Sequence, residues 1–426
     1  MAKKVEKQPR EYTKRQLSHA KKQALRQRIY LFGGIAVIVA VILLTLSGWI
    51  FGEYLPLNKT IGSIYDSKIK EKDLIDTAIV YAQTQTGVDI TQSLDSVVNA
   101  MLQNTLIKQE AAKLGITVSD QELSDQLKGA KISNGYKELV RASMLADKMR
   151  KEYFSKQVPD SGNQVLMKAM MVESPELVPG IKDSLLNGDN FTALVNKYAV
   201  NKVSIDNGGV FDWHPASVLS SDISTSIPVD WAFNQNTIKG QISDALTDNA
   251  SSKELGYWLI RINQAAGQTA DGNISADVSA LLLSSEAEAT RIKAQLESGA
   301  DLATLADKYS QYTPTQQAHG TITAVQSDNI SDNFNNYVFN PGTPVGVWSG
   351  PIKDTKYSTK GGAWIVQVVD KDNNRPYSTD DKNTMVDSAY SDWTNNLWLT
   401  ASPDVRLYFD DASRKLAIER INVKVK

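Results

Sequence analysis

Two stretches share one pattern and decide the fold of the chain: GDNFTALVNKYA at Gly188–Ala199 and GADLATLADKYS at Gly299–Ser310. They lie 111 residues apart, and Gly209 is separated from Gly320 by the same interval. The later landmarks are all displaced by 106 residues: Phe233 with Phe339, Gly240 with Gly346, Ser243 with Ser349, and Trp258 with Trp364. An ordered series of matches, interrupted by one short deletion, indicates an internal duplication.

Each copy has the pattern of an α+β unit. In its first helix the apolar residues recur at helical spacing, at Phe191, Leu194, Val195 and Tyr198. The closing segment Tyr257–Ile262 has the composition of a strand. We predict that each copy runs strand, one or two helices, glycine loop, short helix, strand, strand. The copies are then expected to form separate domains at 163–266 and 274–372, joined by a linker at 267–273.

The N-terminus is strongly basic and is followed by an apolar run. Residues 1–28 carry a net charge of +8, whereas the whole chain carries −2. Residues 29–52 contain no charged side chain, and a helix over Tyr30–Phe51 would be about 33 Å long, enough to span a hydrocarbon core. Because cationic flanks stay on the cytoplasmic side, we predict a cytoplasmic arm at 1–28, a single-pass anchor at 29–52 and an extracytoplasmic body.

Two other interpretations of the N-terminus fit less well. A cleaved signal peptide has an apolar region of about 7–15 residues and a small-residue cleavage site, and this run is longer. A nucleic-acid-binding arm would also be basic, but the adjacent membrane span already accounts for the charge. We therefore expect membrane attachment through one helix and no nucleic-acid partner.

The composition excludes several classes of chemistry. The chain of 426 residues has no cysteine, which rules out disulfides, thiolate nucleophiles and Cys-ligated zinc or iron–sulfur centres. Its three histidines, His19, His214 and His319, are far apart in sequence and form no HExxH-type pair. We expect no metal and no cofactor, and no GxxxxGK[ST] loop indicates an ATP site.

Residues 60–158 are predicted to form a mostly helical module. Ser93 is expected to cap a helix that Gly115 ends. Ser119 and Glu122 have the spacing of a capping box at the start of the next helix. A further helix is expected from Gly135 to Gln157.

A linker is predicted at 159–162, between the helical module and the first repeat. At the other end of the chain, residues 380–426 are predicted to form a helix over 380–399 and a tail in which apolar residues alternate.

These segments resemble known folding factors. Leu94–Leu123, together with the opening Ile61–Leu74, resembles the N-terminal chaperone module of SurA-type proteins. Each repeat resembles a parvulin-type peptidyl-prolyl isomerase (rotamase) domain, through GDNFTALVNKYA, GGVFDW (Gly208–Trp213), KGQIS (Lys239–Ser243) and GYWLIRI (Gly256–Ile262). The first repeat carries the more specific signal, and the second, degenerate repeat is recognised mainly through the first. The layout is that of SurA, while a basic arm and one anchor resemble PpiD, which implies a bacterial inner (cytoplasmic) membrane.

The resemblance also indicates where a substrate site would lie. In parvulins two histidines and a Cys or Asp form a hydrogen-bonded cluster beneath an apolar cradle for the proline ring. We carried these positions over to this sequence residue by residue and added Trp213 as a further aromatic of the first cradle. In the first repeat the cradle positions are Ala169, Asn201, Trp213, Phe233 and Trp258. In the second repeat they are Ala280, Tyr312, Phe339 and Trp364. Since every family histidine is replaced, no catalytic residue is assigned.

Three functions remain open at this point. The first is a membrane-anchored extracytoplasmic chaperone that binds unfolded or nascent exported polypeptides. The second is an active peptidyl-prolyl cis–trans isomerase that works through the first repeat. The third is an envelope assembly protein with one dedicated partner. The sequence does not indicate the oligomeric state.

Overall fold

The computed structural model describes residues 37–84, 89–128, 132–269, 272–326 and 329–425. Within these ranges the chain forms two compact units. The helical module combines the residues up to Phe154 with those from Ala389 onward, and the repeat module runs from Ser155 to Ser388. The predicted arm at 1–28 and the first residues of the predicted anchor lie outside the described residues.

An apolar helix, α1 (Val37–Leu57), begins the described chain. Its 21 residues have a mean hydropathy of 1.9, and its apolar side chains are exposed. The turn at Ile50–Tyr54 is π-helical. By length and composition this helix is able to cross a membrane, and it extends past the predicted end at residue 52.

A hairpin and four helices follow in the helical module among the described residues. In chain order they are β1 (Thr60–Ile64), β2 (Ser67–Lys70), α2 (Glu71–Thr84), α3 (Leu94–Lys113), α4 (Asp120–Gln126) and α5 (Asn134–Lys148). One side of α3 is buried, since Leu94, Val97, Val98 and Leu102 lie in the core of the module.

The local signals for the ends of these helices were mostly correct. Ser119 and Glu122 form both hydrogen bonds of the capping box at the start of α4. Gly115 has φ of +76° just after α3, a conformation that favours glycine. Ser93 precedes α3 but its side chain makes no capping bond, so that prediction is wrong. Ser93 instead ends a 3₁₀ turn that Asp89 caps through the backbone N of Thr91.

The repeat module contains two four-stranded antiparallel sheets. Sheet B has the order β4–β3–β10–β5, and sheet C has the order β8–β7–β6–β9. The strands are β3 (Ser161–Val172), β4 (Val210–His214), β5 (Leu246–Lys253), β6 (Gly256–Gln268), β7 (Ile274–Leu283), β8 (Thr321–Gln326), β9 (Ile352–Asp354) and β10 (Thr359–Pro376). The helices are α6 (Val178–Leu186), α7 (Phe191–Tyr198), α8 (Lys202–Asp206), α9 (Ala216–Ile223), α10 (Ile227–Phe233), α11 (Glu286–Glu297), α12 (Leu302–Tyr309), α13 (Thr313–Gln317) and α14 (Asp332–Val338).

The closing strands of the two repeats are exchanged. β6 closes the first repeat in sequence, yet it lies between β7 and β9 in sheet C, with Trp258 opposite Leu282. β10 closes the second repeat, yet it lies between β3 and β5 in sheet B, with Trp364 opposite Met171. The prediction that each repeat closes within its own sequence is therefore wrong for both final strands. Because the two strands carry the same pattern, the sequence does not distinguish one partner from the other.

Two predicted linkers are parts of strands and turns. The segment predicted as a linker at 267–273 is flanked by paired strands, since β6 ends at Gln268, β7 begins at Ile274 and Thr269 N donates to Asn273 O over 2.8 Å. It therefore lies at the end of sheet C and does not separate two domains. The linker at 159–162 overlaps β3, which begins at Ser161.

The chain returns to the helical module at its C-terminus. The last elements are α15 (Thr379–Ala401), β11 (Val405–Leu407) and α16 (Asp411–Val425). β11 pairs with β1 to complete sheet A, in the order β11–β1–β2. The predicted alternating tail is thus a helix, and its residues Ala417 and Ile421 are buried in the core with α2. The buried positions Ser413, Ala417 and Ile421 recur every four residues, which is the spacing of a helix and not of a strand.

Candidate functional site

The first cradle is built around β3. Ala169 is fully buried, and its backbone N donates to Gly209 O over 2.9 Å. Gly209 has φ of +72°, and a Cβ there would lie 2.6 Å from a methyl group of Val195 and 2.8 Å from the Phe191 ring. Only glycine lets the loop adopt this φ and pass so close to helix α7 while it bonds to the strand, which accounts for a glycine at this position of the sequence pattern.

Trp364 of the second repeat fills the first cradle. Its side chain is 1% exposed and packs in a cluster with Ala169, Leu219 and Phe233. Its indole Nε1 donates to Oδ2 of Asp248 over 3.0 Å. Burial by itself raises the pKa of Asp248, but hydrogen bonds from Ser251, Trp364 and Ala250 outweigh it and lower that pKa. The cradle floor is therefore a buried carboxylate bonded to an indole.

Asn201 lies beside this cluster at the start of α8. Its side chain does not cap that helix, and its buried Oδ1 has no hydrogen-bond partner within the described part of the chain. Asn201 also lines an open cleft of about 670 Å³, together with Ile205, Lys253 and Leu255. Asn201 is thus a predicted site position whose side-chain acceptor has no partner among the described residues.

The second cradle repeats this arrangement with more aromatic rings. Ala280 is fully buried, and its backbone N donates to Gly320 O over 2.8 Å. Trp258 donates from Nε1 to Oδ2 of Asp354 over 2.9 Å. The ring of Trp258 lies in edge contact with three others, whose centroids are 5.2 Å (Tyr312), 4.9 Å (Phe334) and 6.1 Å (Tyr357) away.

Tyr357 is partly buried in the same aromatic cluster, which shifts the pKa of its hydroxyl. Burial and a hydrogen bond with Tyr312 raise it to about 12. Phe339, the last of the predicted positions here, packs against the edge of the same cluster. The aromatic rings fill the volume that a proline ring would need.

Trp213 and Phe233 differ in their accessibility. Phe233 ends α10 and packs partly buried against the first cradle. Trp213 lies on β4 and is partly exposed, with the Arg375 guanidinium 4.4 Å above its ring. The neighbouring His214 ends β4, where a loop was expected, and its Nδ1 lies 2.7 Å from Oδ1 of the buried Asp381.

Strand exchange regroups the predicted site residues. Ala169 and Phe233 share a cradle with Trp364 and not with Trp258. Trp258 instead shares the second cradle with Ala280, Tyr312 and Phe339. The closing tryptophan of each repeat was thus assigned to the wrong cradle. The cause is again that the two closing strands carry the same sequence pattern, which does not show which sheet each one joins.

The second candidate site is a groove of about 500 Å³ in the helical module, where a chaperone of this type is expected to have an apolar crevice but where the sequence analysis named no lining residue. Its floor is apolar, and it lies between β2, α2, α3 and α5. Its lining includes Met101, Ile107, Leu139, Leu145 and Tyr390. Gly135 sets the spacing of the walls, because a Cβ there would lie 2.5 Å from the backbone of Asp76 on α2.

Charged residues surround the groove. Arg141 lies 2.7 Å from Asp120 and 3.3 Å from Glu138, and Lys108 lies 3.6 Å from Glu138. Tyr390 is held by the Arg150 guanidinium 4.2 Å above its ring, and burial raises the pKa of its hydroxyl. Met101 lies among the buried positions of α3 but is itself only partly buried. This apolar residue was the available signal in the sequence that one side of α3 forms an apolar wall open to solvent.

Comparison with known families matches both halves of the chain. A family model described as SurA-like N-terminal domain matches residues 22–151, and one described as PPIC-type PPIASE domain matches residues 279–370. The second match falls on the second repeat, so the expectation that the first repeat carries the more specific signal is wrong. Residues 279–370 include strands of both sheets, since β7 lies in sheet C and β10 in sheet B.

Individual relatives are distant. A parvulin-like PPIase of Rickettsia prowazekii is 23% identical over 51% of this chain and 77% of its own length. The foldase protein PrsA of Caldanaerobacter subterraneus is 28% identical over 29% of this chain, which spans 46% of that relative. The crystal structure of the foldase PrsA of Streptococcus pneumoniae covers 84% of this chain and 98% of its own, at 11% identity and a TM-score of 0.27, too low to compare the folds. The chain therefore combines a SurA-like N-terminal domain with a PPIC-type parvulin domain, and it is similar to proteins described as parvulin-like PPIase and as the foldase PrsA.

Proposed function

We propose that this protein is a membrane-anchored extracytoplasmic folding factor that binds unfolded exported polypeptides and does not catalyse prolyl isomerisation. The observation that carries the proposal is the closed first cradle. Trp364 occupies the position of a family histidine, Ala169 occupies the other, and the Trp364 indole is bonded to a buried carboxylate.

The chemistry of prolyl isomerisation supports this view. Rotation about the X–Pro bond has a barrier of about 18–20 kcal/mol. Catalysis must stabilise the twisted amide more than the planar one, and it does so with preorganised polar groups next to a pocket for the ring. The first cradle offers an alanine methyl and a tryptophan ring in place of the histidines. The second is filled by four aromatic rings.

The groove of the helical module is the proposed client site. Its apolar floor suits the side chains of an unfolded segment, and its charged surround suits a polar backbone near water. A volume of about 500 Å³ accommodates a few side chains rather than a folded domain. Such a site binds many sequences weakly, which allows clients to leave as they fold without ATP. The apolar α1 helix would hold this groove close to the membrane from which clients emerge.

A residual isomerase is the second candidate function, and Asn201 is the observation that favours it. Its unpartnered Oδ1 beside the cleft could accept a hydrogen bond from a substrate amide. In that case the activity would be lost in N201A while the binding of proline-free clients would persist.

One pair of measurements on the full chain in lipid nanodiscs tests the proposal. Exchange NMR on a short Ala-Pro peptide should show cis–trans exchange at the uncatalysed rate, whereas light scattering should show that the protein suppresses aggregation of a diluted, unfolded client. Exchange above background that is lost in N201A would establish the isomerase instead. A protein that leaves client aggregation unchanged but co-purifies with one stoichiometric partner would point to an assembly role.

A further inference from the structure

We propose that the two repeats form one obligate folding unit, in which each repeat supplies the central strand that completes the sheet of the other. The second repeat would then be retained as the structural partner of the first, whether or not either cradle binds a substrate. This inference is independent of the client-binding function.

The exchanged strands make equivalent contacts in the two sheets. In sheet B, Val366 N donates to Ser243 Oγ over 2.9 Å, and in sheet C, Ile260 N donates to Ser349 Oγ over 2.9 Å. The two tryptophan–aspartate bonds correspond in the same way. Each serine and each aspartate belongs to one repeat, and the strand that it holds belongs to the other.

The exchanged strands are central and not peripheral. β10 lies between β3 and β5, and β6 lies between β7 and β9. In β10 the residues Ala363, Ile365, Val366 and Val368 are fully buried. Without this strand, sheet B would be divided into an isolated pair and a single strand, each with unpaired backbone groups. The first repeat alone, residues 163–266, can complete its sheet only by pairing with its own β6.

The segments where the strands cross carry contacts of their own. The Lys253 ammonium, at the end of β5, donates to Gly361 O at the start of β10. The equivalent Thr359 hydroxyl donates to Leu255 O just before β6. Each bond joins the crossing segment of one repeat to that of the other, so both exist only when the strands are exchanged. Lys253 and Thr359 occupy equivalent positions in the two repeats and bond to equivalent carbonyl oxygens with different side chains. This supports the inference that the sequence is adapted to exchanged strands.

Glycines permit the close approach at this crossing. A Cβ on Gly256 would lie 2.7 Å from Leu282 and 2.8 Å from Thr359 of the other repeat. Gly362 has φ of +156°, and a Cβ there would lie 2.5 Å from the carbonyl oxygen of Val172 on β3. Positions 256 and 362, next to the crossing segments, therefore both require a residue without a side chain.

Cysteine pairs distinguish the two ways of closing the sheets, because the native chain has no cysteine. Lys168 lies opposite Gln367 in sheet B, and Arg261 lies opposite Ser279 in sheet C. Since these positions are equivalent in the two repeats, closure of each repeat on its own strand would place Lys168 opposite Arg261 and Ser279 opposite Gln367. In the oxidised full chain we expect cross-linked peptides from K168C/Q367C and R261C/S279C by mass spectrometry. Cross-links from K168C/R261C and S279C/Q367C instead would overturn the exchange.

Hydrogen exchange then tests whether the repeats unfold as one. F334L loosens a side chain that contacts only the sheet C core, and L219A does the same for sheet B. In the full chain, each variant should lower the protection of β3 and β7 amides by the same factor, since one opening exposes both sheets. A loss of protection confined to the sheet nearest the substitution would show two independent units and contradict the proposal. Because the two variants act from opposite sheets, failure of one to fold leaves the other as the test.

Discussion

The indole Nε1 of Trp364 and the Oδ2 of Asp248 are 3.0 Å apart, and both side chains are buried. The bond joins the last strand of the second repeat to β5 of the first repeat. Its counterpart between Trp258 and Asp354 spans 2.9 Å in the other sheet. Trp364, at the position that the resemblance to parvulins assigns to a family histidine, thus anchors the exchanged strand. The same bond should affect both stability and activity.

Replacing the indole should measure the strength of this anchor. W364F keeps an aromatic ring but leaves the buried carboxylate of Asp248 with one donor fewer, so we expect the free energy of unfolding to fall by about 1–3 kcal/mol. Urea denaturation followed by circular dichroism provides the value. W213F is the matched control, since Trp213 is partly exposed and its indole bonds to no carboxylate among the described residues, whereas its backbone N, which the substitution keeps, donates to Asp212. This variant should change stability by less than about 1 kcal/mol. Equal effects of the two variants would show that the Trp364–Asp248 bond contributes little.

The strand exchange also determines which tryptophan must be replaced to restore the parvulin-type histidines in one cradle. A169H/N201D/W364H places two histidines and a carboxylate in one cradle, and the smaller ring at 364 makes room for the larger one at 169. We expect this variant to raise the cis–trans exchange rate of an Ala-Pro peptide above that of the native chain. A169H/N201D/W258H places its second histidine in the other sheet and should remain at background. Similar rates for the two triple variants would contradict the composite cradle.

Client binding should depend on the floor of the groove. M101D and L139D place a charge among apolar lining residues, where an unfolded segment would have to desolvate it. We expect each to weaken the binding of a fluorescent unfolded client by roughly tenfold, equivalent to about 1.4 kcal/mol. L399D is the control, because Leu399 is 71% exposed and lies outside the groove. If L399D weakened binding as much as M101D, the groove would not be the client site.

The membrane topology can be read with single cysteines in a chain that has none. S18C lies in the basic arm and S217C on the exposed face of α9. A membrane-impermeant maleimide should label S217C in intact spheroplasts and label S18C only after lysis, because the basic flank is expected to stay inside. Labelling of S18C in intact cells would reverse the proposed orientation.

Particular residues show what could be predicted from the sequence. The matches from Gly188 to Trp364 indicated a duplicated α+β unit, and the capping box at Ser119 was found at its residue, because these signals are local or periodic. The pairing of β10 with β3 was not predictable, since the two closing strands differ little in pattern and the choice is made by long-range contacts such as Lys253–Gly361. The lining of the groove was not predicted because it combines residues from distant segments, with Met101 before both repeats and Tyr390 after them.

The crossing segments should make stability depend on pH in alkaline solution. Lys253 is 2% exposed, and burial lowers its pKa from 10.5 to about 8 although Glu173 and Glu288 act in the opposite direction. Between these two pH values the unfolded chain holds a proton at Lys253 that the folded chain has released. The free energy of unfolding should therefore rise with pH across this window, by up to about 3 kcal/mol, whereas below pH 8 the cost of the buried charge is constant.

K253M separates this effect from other groups that titrate at high pH. Methionine is unbranched like lysine but carries no charge, so the variant should lack the rise between pH 8 and 10. The Tyr257 hydroxyl, whose pKa is raised by burial and by its bond to Glu173, acts with the opposite sign above pH 10. It is present in both proteins and cancels in their difference. Urea denaturation at pH 7, 8, 9 and 10 gives the free energy of unfolding as a function of pH for the native chain and for K253M. Parallel pH dependences would contradict the prediction, because they would mean that Lys253 stays in contact with water in the folded chain.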